Sequence, residues 1–460
     1  MTLPAPGEAL AERIATWAAG VDPAALPEEV SRVARRQLLD TVGLCVAARR
    51  TDYVEALLET CEPRGHCTAI GHRRGVFCLD AALINGTAAH GEDYDDTFEG
   101  TPVHTAAVVV PAVLAACERY QRGGSDLLRG IAVGVEFMCR MALVVKTGVH
   151  RAGFHPTAVI GALGATLGAG TALGLPPQRL ASALGIAGSM ASGIIEYLAE
   201  GTSTKRLHAG WAAQCGIRAA LMAQAGFSGP RTVIEGQHGF VHAFCHPDIE
   251  PEFGHLSEGL GSRWLMEGIA FKPYACGTMA QPFIDCALAL RASGMPAERI
   301  RSITCKVGEG TVHRLWEPLA EKRRPTTAYS AKFSVPFCIA VGFVDGAAGL
   351  SQFTESRVAD PRVIDVASRV DYEIDPLNQY PANYTGHLRV EFADGSVREF
   401  DQRYLRGGRR APLSADELAV KYQANARFGG WGKKRTAHNA ALCEALFESK
   451  DLTDLRRLRG

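Results

Sequence analysis

The segment Thr157 to Leu175, TAVIGALGATLGAGTALGL, carries neither a charged nor an aromatic residue. A helix this apolar must be covered on every side, by lipid or by the rest of the protein, and it just reaches the roughly 18 residues a membrane span requires. Gly161, Ala165, Gly168 and Ala172 put small side chains at helical spacing, which lets another backbone approach closely. His155-Pro156 precedes the run and Pro176-Pro177 ends it, with no aromatic belt or basic flank. We read it as the central helix of a protein core and expect no membrane partner.

The surrounding chain has to supply that core. At 460 residues it is long for a single hydrophobic core, so two domains are expected. From about Gly7 to Met266 the pattern is helical. Leu10, Ile14 and Trp17 recur at helical spacing, Pro27-Glu28-Glu29 opens a segment running to Arg50, and Leu79–Ala89, Ala106–Tyr120, Leu127–Thr147 and Ser182–Ala199 follow. After Ala270 the texture changes. Arg299–Val307, Val370–Ile374, His387–Phe392 and Val397–Phe400 alternate as strands do, and Asp394-Gly395 between the last two is a hairpin signal. A helix is expected at Ala331–Val344, and Ser414–Leu458 returns to helix. The expectation is a mainly α chain: a large all-α domain from residues 1–269 and 405–460, and a smaller α+β domain from 270–404.

Lysine plus arginine balances aspartate plus glutamate at 49 each, which argues against nucleic acid as a partner and favours a small ligand. Thirteen scattered cysteines without a C-x-x-C pair suggest reduced thiols of a cytoplasmic protein, and Met1–Gly20 shows no secretory pattern.

The chemistry concentrates in a few places. Asn85–Ala115 sets Asp93, Asp95, Asp96, Thr97, His90 and His104 between apolar helices, where burial and neighbouring charges shift proton affinities. Asp93 and Thr97, four apart, share a face if the turn is helical, and the alternative is a helix start capped by acidic residues. His155 stands just ahead of the small-residue helix, where the helix N-terminus disfavours its protonation; a purely structural histidine is the alternative. Lys205, Arg206 and His208 cluster before an Ala-rich run, either as an anion clamp or as a solvated basic turn. Lys272 lies at the change of texture, where ligand sites are common but so are plain connectors. His238, His242 and His246 are four apart, yet Gly239 and Pro247 weaken the helix that would make them a zinc face, and no metal site is expected. No phosphate-binding or dinucleotide-binding glycine loop and no G-x-S-x-G elbow is present.

Taken in order, Asn85-Gly86 with Ala89-His90, Asp93-Tyr94-Asp95-Asp96-Thr97, Gly153-Phe154-His155, Lys205 with Leu207-His208-Ala209-Gly210, Gly226-Phe227-Ser228-Gly229-Pro230 with Glu235-Gly236, and Lys272-Pro273-Tyr274 through Ile284-Asp285 resemble the MmgE/PrpD family. That family includes 2-methylcitrate dehydratases, cis-aconitate decarboxylases and iminodisuccinate epimerases. The resemblance covers nearly the whole chain. It implies a helical domain built from both chain ends, a smaller α+β lid, a homodimer, and an active-site cleft that works without metal or organic cofactor. Carried over by position, it implies catalytic roles for His155, Lys205, His104, Asp93 and Thr97, and substrate contacts from Lys272, Gln281 and His208. Two departures stand out: the spacer between Thr97 and His104 is one residue longer than in the decarboxylases, and Gln281 replaces a histidine four residues before the aspartate of Ile284-Asp285. An amide hydrogen-bonds a carboxylate but transfers no proton at neutral pH.

The three family reactions share a need for cations and proton-transfer groups, so residue types alone do not separate them. The leading expectation is dehydration of a 2-methylcitrate-like hydroxy acid. His155 serves as base or acid, Lys205 and Lys272 as anion clamp, His104 as a second proton-transfer group, and Asp93 with Thr97 as orienting partners. An epimerase of an iminodisuccinate-like acid, a cis-aconitate-type decarboxylase and a non-catalytic polycarboxylate binder are the alternatives.

Overall fold

The small-residue run forms a helix whose every residue, from Pro156 to Ala172, is buried. The computed structural model describes residues 7–62, 64–101, 103–294 and 296–460. Residues 1–6 of the Met1–Gly20 segment, and Pro102 within the Asn85–Ala115 stretch and its long spacer, lie outside the described residues. By its internal contacts the chain divides into two units: residues 1–91, 95–269 and 425–460, and residues 92–94 with 270–424.

The principal helices of the first unit are α1 (Leu10–Gly20), α2 (Glu28–Ala48), α3 (Cys78–His90), α4 (Ala106–Arg119), α5 (Gly124–Val145), α6 (Pro156–Ala172), α7 (Pro177–Met190) and α8 (Thr204–Gln224). Pro156 starts α6 at a position where its missing N–H costs nothing, and Gly174 with Pro176 stops the run. Around α6 pack α4, α5, α7 and α8. Among the described residues no helix is long and apolar enough to cross a membrane. A short antiparallel ribbon, Cys67–Thr68 with Gly75–Val76, and the two-residue strand Thr97–Phe98 interrupt the mainly helical unit. The C-terminal helix Lys433–Ala445 packs on α2, where Arg35 reaches Glu444 and Glu448 and lies over the Phe447 ring.

One approach in this unit is unusually close. A Cβ on Gly86 of α3 would fall 2.7 Å from the Cα of Gly210 on α8, and one on Gly210 would fall 2.1 Å from the Leu83 carbonyl oxygen. Only glycine at both positions lets α3 and α8 cross at this separation, and the crossing carries His90 at the end of α3 toward Lys205 and His208 at the start of α8.

Helix α7 ends at Met190, short of the Ser182–Ala199 helix that the sequence predicts. Gly193 adopts φ +129°, outside helical space, and its carbonyl accepts the His155 N–H at 2.8 Å while Ile195 N–H donates to Gly153. Long-range pairing with the segment before α6 takes residues 191–196 out of the helix.

The second unit holds a four-stranded sheet in the order β2-β1-β3-β4, with β1 Ile300–Val307, β2 Val370–Ile374, β3 Gly386–Phe392 and β4 Val397–Gln402. β2 pairs parallel to β1, with Ile303 opposite Val370, and the other pairs are antiparallel. The Asp394-Gly395 hairpin forms, with Gly395 at φ +82°. Helix α9 (Gln281–Ala292) packs on β3, β4 and α10 (Val335–Asp345). The helix predicted at Ala331–Val344 is two helices, Ala328–Ala331 and α10. The Ser334 hydroxyl accepts the Phe337 N–H and restarts the second one, with Pro336 in its first turn.

By their contacts residues 405–424 group with this second unit. The reason is polar: Arg406 pairs with Glu417 and donates to the Tyr274 hydroxyl, Phe271 N–H donates to Gly407, and Lys421 donates to Tyr94.

Candidate active site

Four histidines of the first unit lie ring against ring. His155 is the residue just before the first turn of α6, and its ring stacks on His90 with centroids 5.6 Å apart. His104 meets the His90 ring edge-on at 5.0 Å, and His208 lies 5.3 Å from His155. Tyr197 closes the cluster edge-on to both His155 and His208. All four histidines are buried, and Lys205, also buried, stands one turn before His208 in α8.

Hydrogen bonds fix the protonation pattern of two rings. His104 Nδ1 is 2.7 Å from the Asp96 main-chain oxygen, which can only accept, so the proton is on Nδ1 and a neutral ring keeps its lone pair on Nε2. His90 Nδ1 faces Asp95 Oδ2 at 2.7 Å with the same consequence, and His90 Nε2 is buried without a hydrogen-bond partner. The His104 N–H donates to the Thr157 hydroxyl, which ties this residue to the first turn of α6.

Burial pushes the His155 pKa well below that of a free imidazole, and the neighbouring charges of His90, Lys205, His208 and His104 add to it. For the same reasons, burial first and then His90 and Lys205, His208 falls to about 4. Both rings are therefore neutral at pH 7.

Asp95 and Asp96 hold the loop. Asp96 accepts from Gln37 Nε2 at 2.6 Å, from the Thr105 hydroxyl at 2.9 Å and from the Ala106 N–H at the start of α4 at 3.0 Å. Its carboxyl is pushed up to about 6, chiefly by burial.

Thr97 is in the first unit, buried, with its hydroxyl lacking a hydrogen-bond partner. The helical turn that would put it on one face with Asp93 does not form. Asp93 has φ +53° and Thr97 belongs to a two-residue strand.

In the second unit Asp93 sits among side chains far away in sequence. Tyr329 donates its hydroxyl to Asp93 Oδ2 at 2.9 Å, and Lys272 donates to the Asp93 main-chain oxygen at 2.8 Å. Gln281 opens α9 fully buried, with its amide nitrogen 3.4 Å from the Tyr274 and Cys276 carbonyls and its amide oxygen unpartnered. Asp285 accepts from the Tyr274 hydroxyl at 2.5 Å, and burial raises its carboxyl to about 6.

The first unit thus brings together His104, His155, Lys205 and His208 and also contains Thr97, and the second holds Asp93, Lys272 and Gln281. His90, Tyr197 and Tyr329 were not singled out as site residues from sequence. The first is named from sequence only as part of the acidic stretch and of the family motif, and nothing local signals the two tyrosines.

Ligand atoms of His90, Asp95 and His104 come within 4.8 Å of one another, the one such group among the described residues. His90 Nδ1 and His104 Nδ1 already donate to Asp95 and to the Asp96 carbonyl, so a cation there would displace both bonds, and we assign none. His238, His242 and His246 share no helix, since the one containing His242 spans only Phe240–Phe244.

Residues 12–252 match the MmgE/PrpD N-terminal domain and residues 274–445 the MmgE/PrpD C-terminal domain. Among curated proteins, the chain is 28% identical to a cis-aconitate decarboxylase of Aspergillus terreus, covering 89% of this chain and 88% of that one. It is 27% identical to the cis-aconitate decarboxylase of Homo sapiens, over 91% and 88%, and 27% identical to that of Mus musculus, over 87% and 83%. These relatives are enzymes, and the relationship makes this chain an enzyme, a lyase. With both domain models matched in order along most of its length, the chain belongs to the MmgE/PrpD family.

Proposed function

We propose that the protein is a lyase acting on a small polycarboxylic acid with its own side chains, and that its reaction is loss of CO2 from a cis-aconitate-like substrate. The observation that carries the lyase reading is the buried pair of neutral histidines, His155 and His208, beside Lys205. Neutral imidazoles in a desolvated site both accept and donate protons near pH 7, and a buried ammonium stabilises the negative charge that develops next to a carboxylate. The relatives' names favour decarboxylation over the dehydration expected from sequence. Decarboxylation needs a carboxylate clamp, a charge sink and one proton donor.

In this reading His155 transfers the proton, His104 is the second proton-transfer group, Lys205 holds a carboxylate and Thr97 offers its free hydroxyl. By family position Asp93, Lys272 and Gln281 add substrate contacts. The homodimer and the cytoplasmic location belong to the same proposal.

A second reading, dehydration of a 2-methylcitrate-like acid, is favoured by the number of proton-transfer groups. His155, His208 and His104 supply both an acid and a base, more than decarboxylation uses.

The test is a panel of citrate-like acids, including cis-aconitate and 2-methylcitrate, followed by CO2 release, alkene absorbance and deuterium uptake from D2O. CO2 supports decarboxylation. Alkene formation without CO2 moves the assignment to dehydration, and exchange without net loss moves it to an epimerase. Silence in all three with calorimetric binding leaves a binder. Full activity retained in both His155→Ala and Lys205→Ala would show that the site is misplaced.

A further inference from the structure

The Nδ1 atoms of His155 and His208 lie 3.1 Å apart, and both rings are buried, at 5% and 8% exposure. A hydrogen bond between two ring nitrogens needs one N–H and one lone pair. Two neutral rings satisfy it in only one way: one carries its proton on Nδ1 and has a bare Nε2, and the other carries its proton on Nε2 and accepts at Nδ1. The pair therefore presents one Nε2 base and one Nε2–H acid at the same time, which two isolated imidazoles would do only by chance.

From this we propose that His155 and His208 form a proton relay with exchangeable tautomers, in which His208 is the relay partner through which His155 is recharged.

The steps balance. When a substrate C–H bond breaks, its electron pair stays on carbon and the proton goes to the bare Nε2. That ring passes its Nδ1 proton to the partner's Nδ1 lone pair, and the partner releases its Nε2 proton to the departing group or to water. In decarboxylation the order is reversed. The Nε2–H protonates the carbon that has lost CO2, the Nδ1 proton crosses, and the other ring's Nε2 takes a proton from water. Each ring is neutral before and after, and only the tautomers have exchanged.

The surroundings suit a neutral relay. Beside the pair are Lys205 and the rings of His90 and His104, and burial with these neighbours disfavours a charged ring at either member. Geometry is imposed by main chain: the His155 N–H bonds Gly193, and a Cβ on Gly193 would lie 3.4 Å from His208 Nδ1.

The turnover consequences rest on the lyase reading; the tautomer pattern does not. The first arm is NMR of the full-length protein with 15N-labelled histidine and no substrate, with peaks assigned by their loss in His155→Asn and His208→Asn. One protonated and one bare Nδ1, or both at shifts averaged between those limits, is expected. Two bare Nδ1 atoms would overturn the proposal.

The second arm is kinetic. Asparagine places an amide where Nδ1 stood and keeps a hydrogen bond to His155 without relaying a proton. His208→Asn and His208→Ala are both expected to lose at least about 100-fold in kcat with KM within a few-fold, and to turn a curved dependence of rate on D2O fraction into a linear one. His208→Asn within about threefold of the native kcat would reduce His208 to a packing residue and refute the relay. If the native protein turns over nothing, the lyase reading fails and the NMR arm alone decides.

Discussion

The ammonium of Lys272 donates to the main-chain oxygen of Asp93 at 2.8 Å. It is one of three. Lys332 donates to the Glu92 carbonyl at 2.7 Å and Lys421 to the Tyr94 carbonyl at 2.8 Å, so three successive carbonyls of one segment are each held by a buried lysine. Lys332 also pairs with the Glu92 carboxylate, and Lys421 lies 4.2 Å from the centre of the Tyr94 ring. Such bonds offset the cost, on the order of 1–2 kcal/mol, of keeping Asp93 in the left-handed region. Tyr329 then fixes the direction of its carboxylate.

The consequence separates fold from function within this segment. Lys332→Met, which removes the lysine that holds Glu92, is expected to destabilise the protein by roughly 2 kcal/mol, because a half-buried carboxylate and a carbonyl lose a charged donor. Tyr329→Phe should cost less than about 1 kcal/mol in urea unfolding yet lower kcat/KM about tenfold by freeing Asp93. Equal kinetics for Tyr329→Phe and the native protein would remove Asp93 from the site.

The neutral histidines predict a pH dependence with a definite sign. The folded pKa of His208, about 4, lies below the unfolded value of about 6.5, and burial holds that of His155 well below it too. Between those limits the unfolded chain binds more protons, so the contribution to stability is fully present above about pH 6.5 and is lost as pH falls toward 4. Asp96 and Asp285, raised to about 6, act in the opposite direction over part of that range. The difference between the native protein and His208→Asn therefore isolates the effect. The native protein should lose stability more steeply between pH 6.5 and 5 in denaturant titrations, and parallel curves would contradict the assignment of His208 as a ring held neutral.

What was legible in the sequence is what local pattern dictates. The buried α6 follows from an uncharged run between prolines, and the β3–β4 hairpin from alternation around Asp394-Gly395. The helix-like spacing of Asp93 and Thr97 misled because three lysines from distant segments hold the backbone at residues 92–94 and Tyr329 holds the Asp93 carboxylate, and no local pattern records them. The end of α7 at Met190 is likewise decided by pairing with Gly153 and His155. His155 and His208 were each visible as residues with a chemical type, whereas their shared hydrogen bond depends on the packing of α6 against α8 and on the turn at Gly193, which only the fold supplies.

Gly193 offers a test of that dependence. Its φ of +129° is a conformation that L side chains rarely adopt, and a Cβ there would lie 2.5 Å from the Ala158 side chain as well as near His208. Gly193→Ala is expected to cost about 2 kcal/mol of stability and to lower kcat at least tenfold by shifting the turn that holds the His155 N–H. Thermal unfolding with steady-state kinetics measures both. An alanine variant with native kcat would show that the turn does not set the spacing of the two rings.

Asp96 separates loop support from proton transfer. Its carboxylate receives Gln37, Thr105 and the first N–H of α4, while its main-chain oxygen receives His104 Nδ1. Removing the carboxylate leaves several buried donors without a partner and uncaps a helix. Asp96→Ala should therefore lose about 3 kcal/mol in urea unfolding, the sum of a cap of roughly 1 kcal/mol and an unsatisfied group of roughly 2. Asp96→Asn keeps the shape and one acceptor oxygen. Gln37 and Thr105 can each reorient to accept from the new amide, so the cost should fall to about 1 kcal/mol. Because the His104 bond runs to the main chain, Asp96→Asn should keep kcat within a few-fold of native. A collapse of kcat in the asparagine variant, with stability preserved, would instead place the Asp96 carboxylate among the groups that exchange protons with substrate.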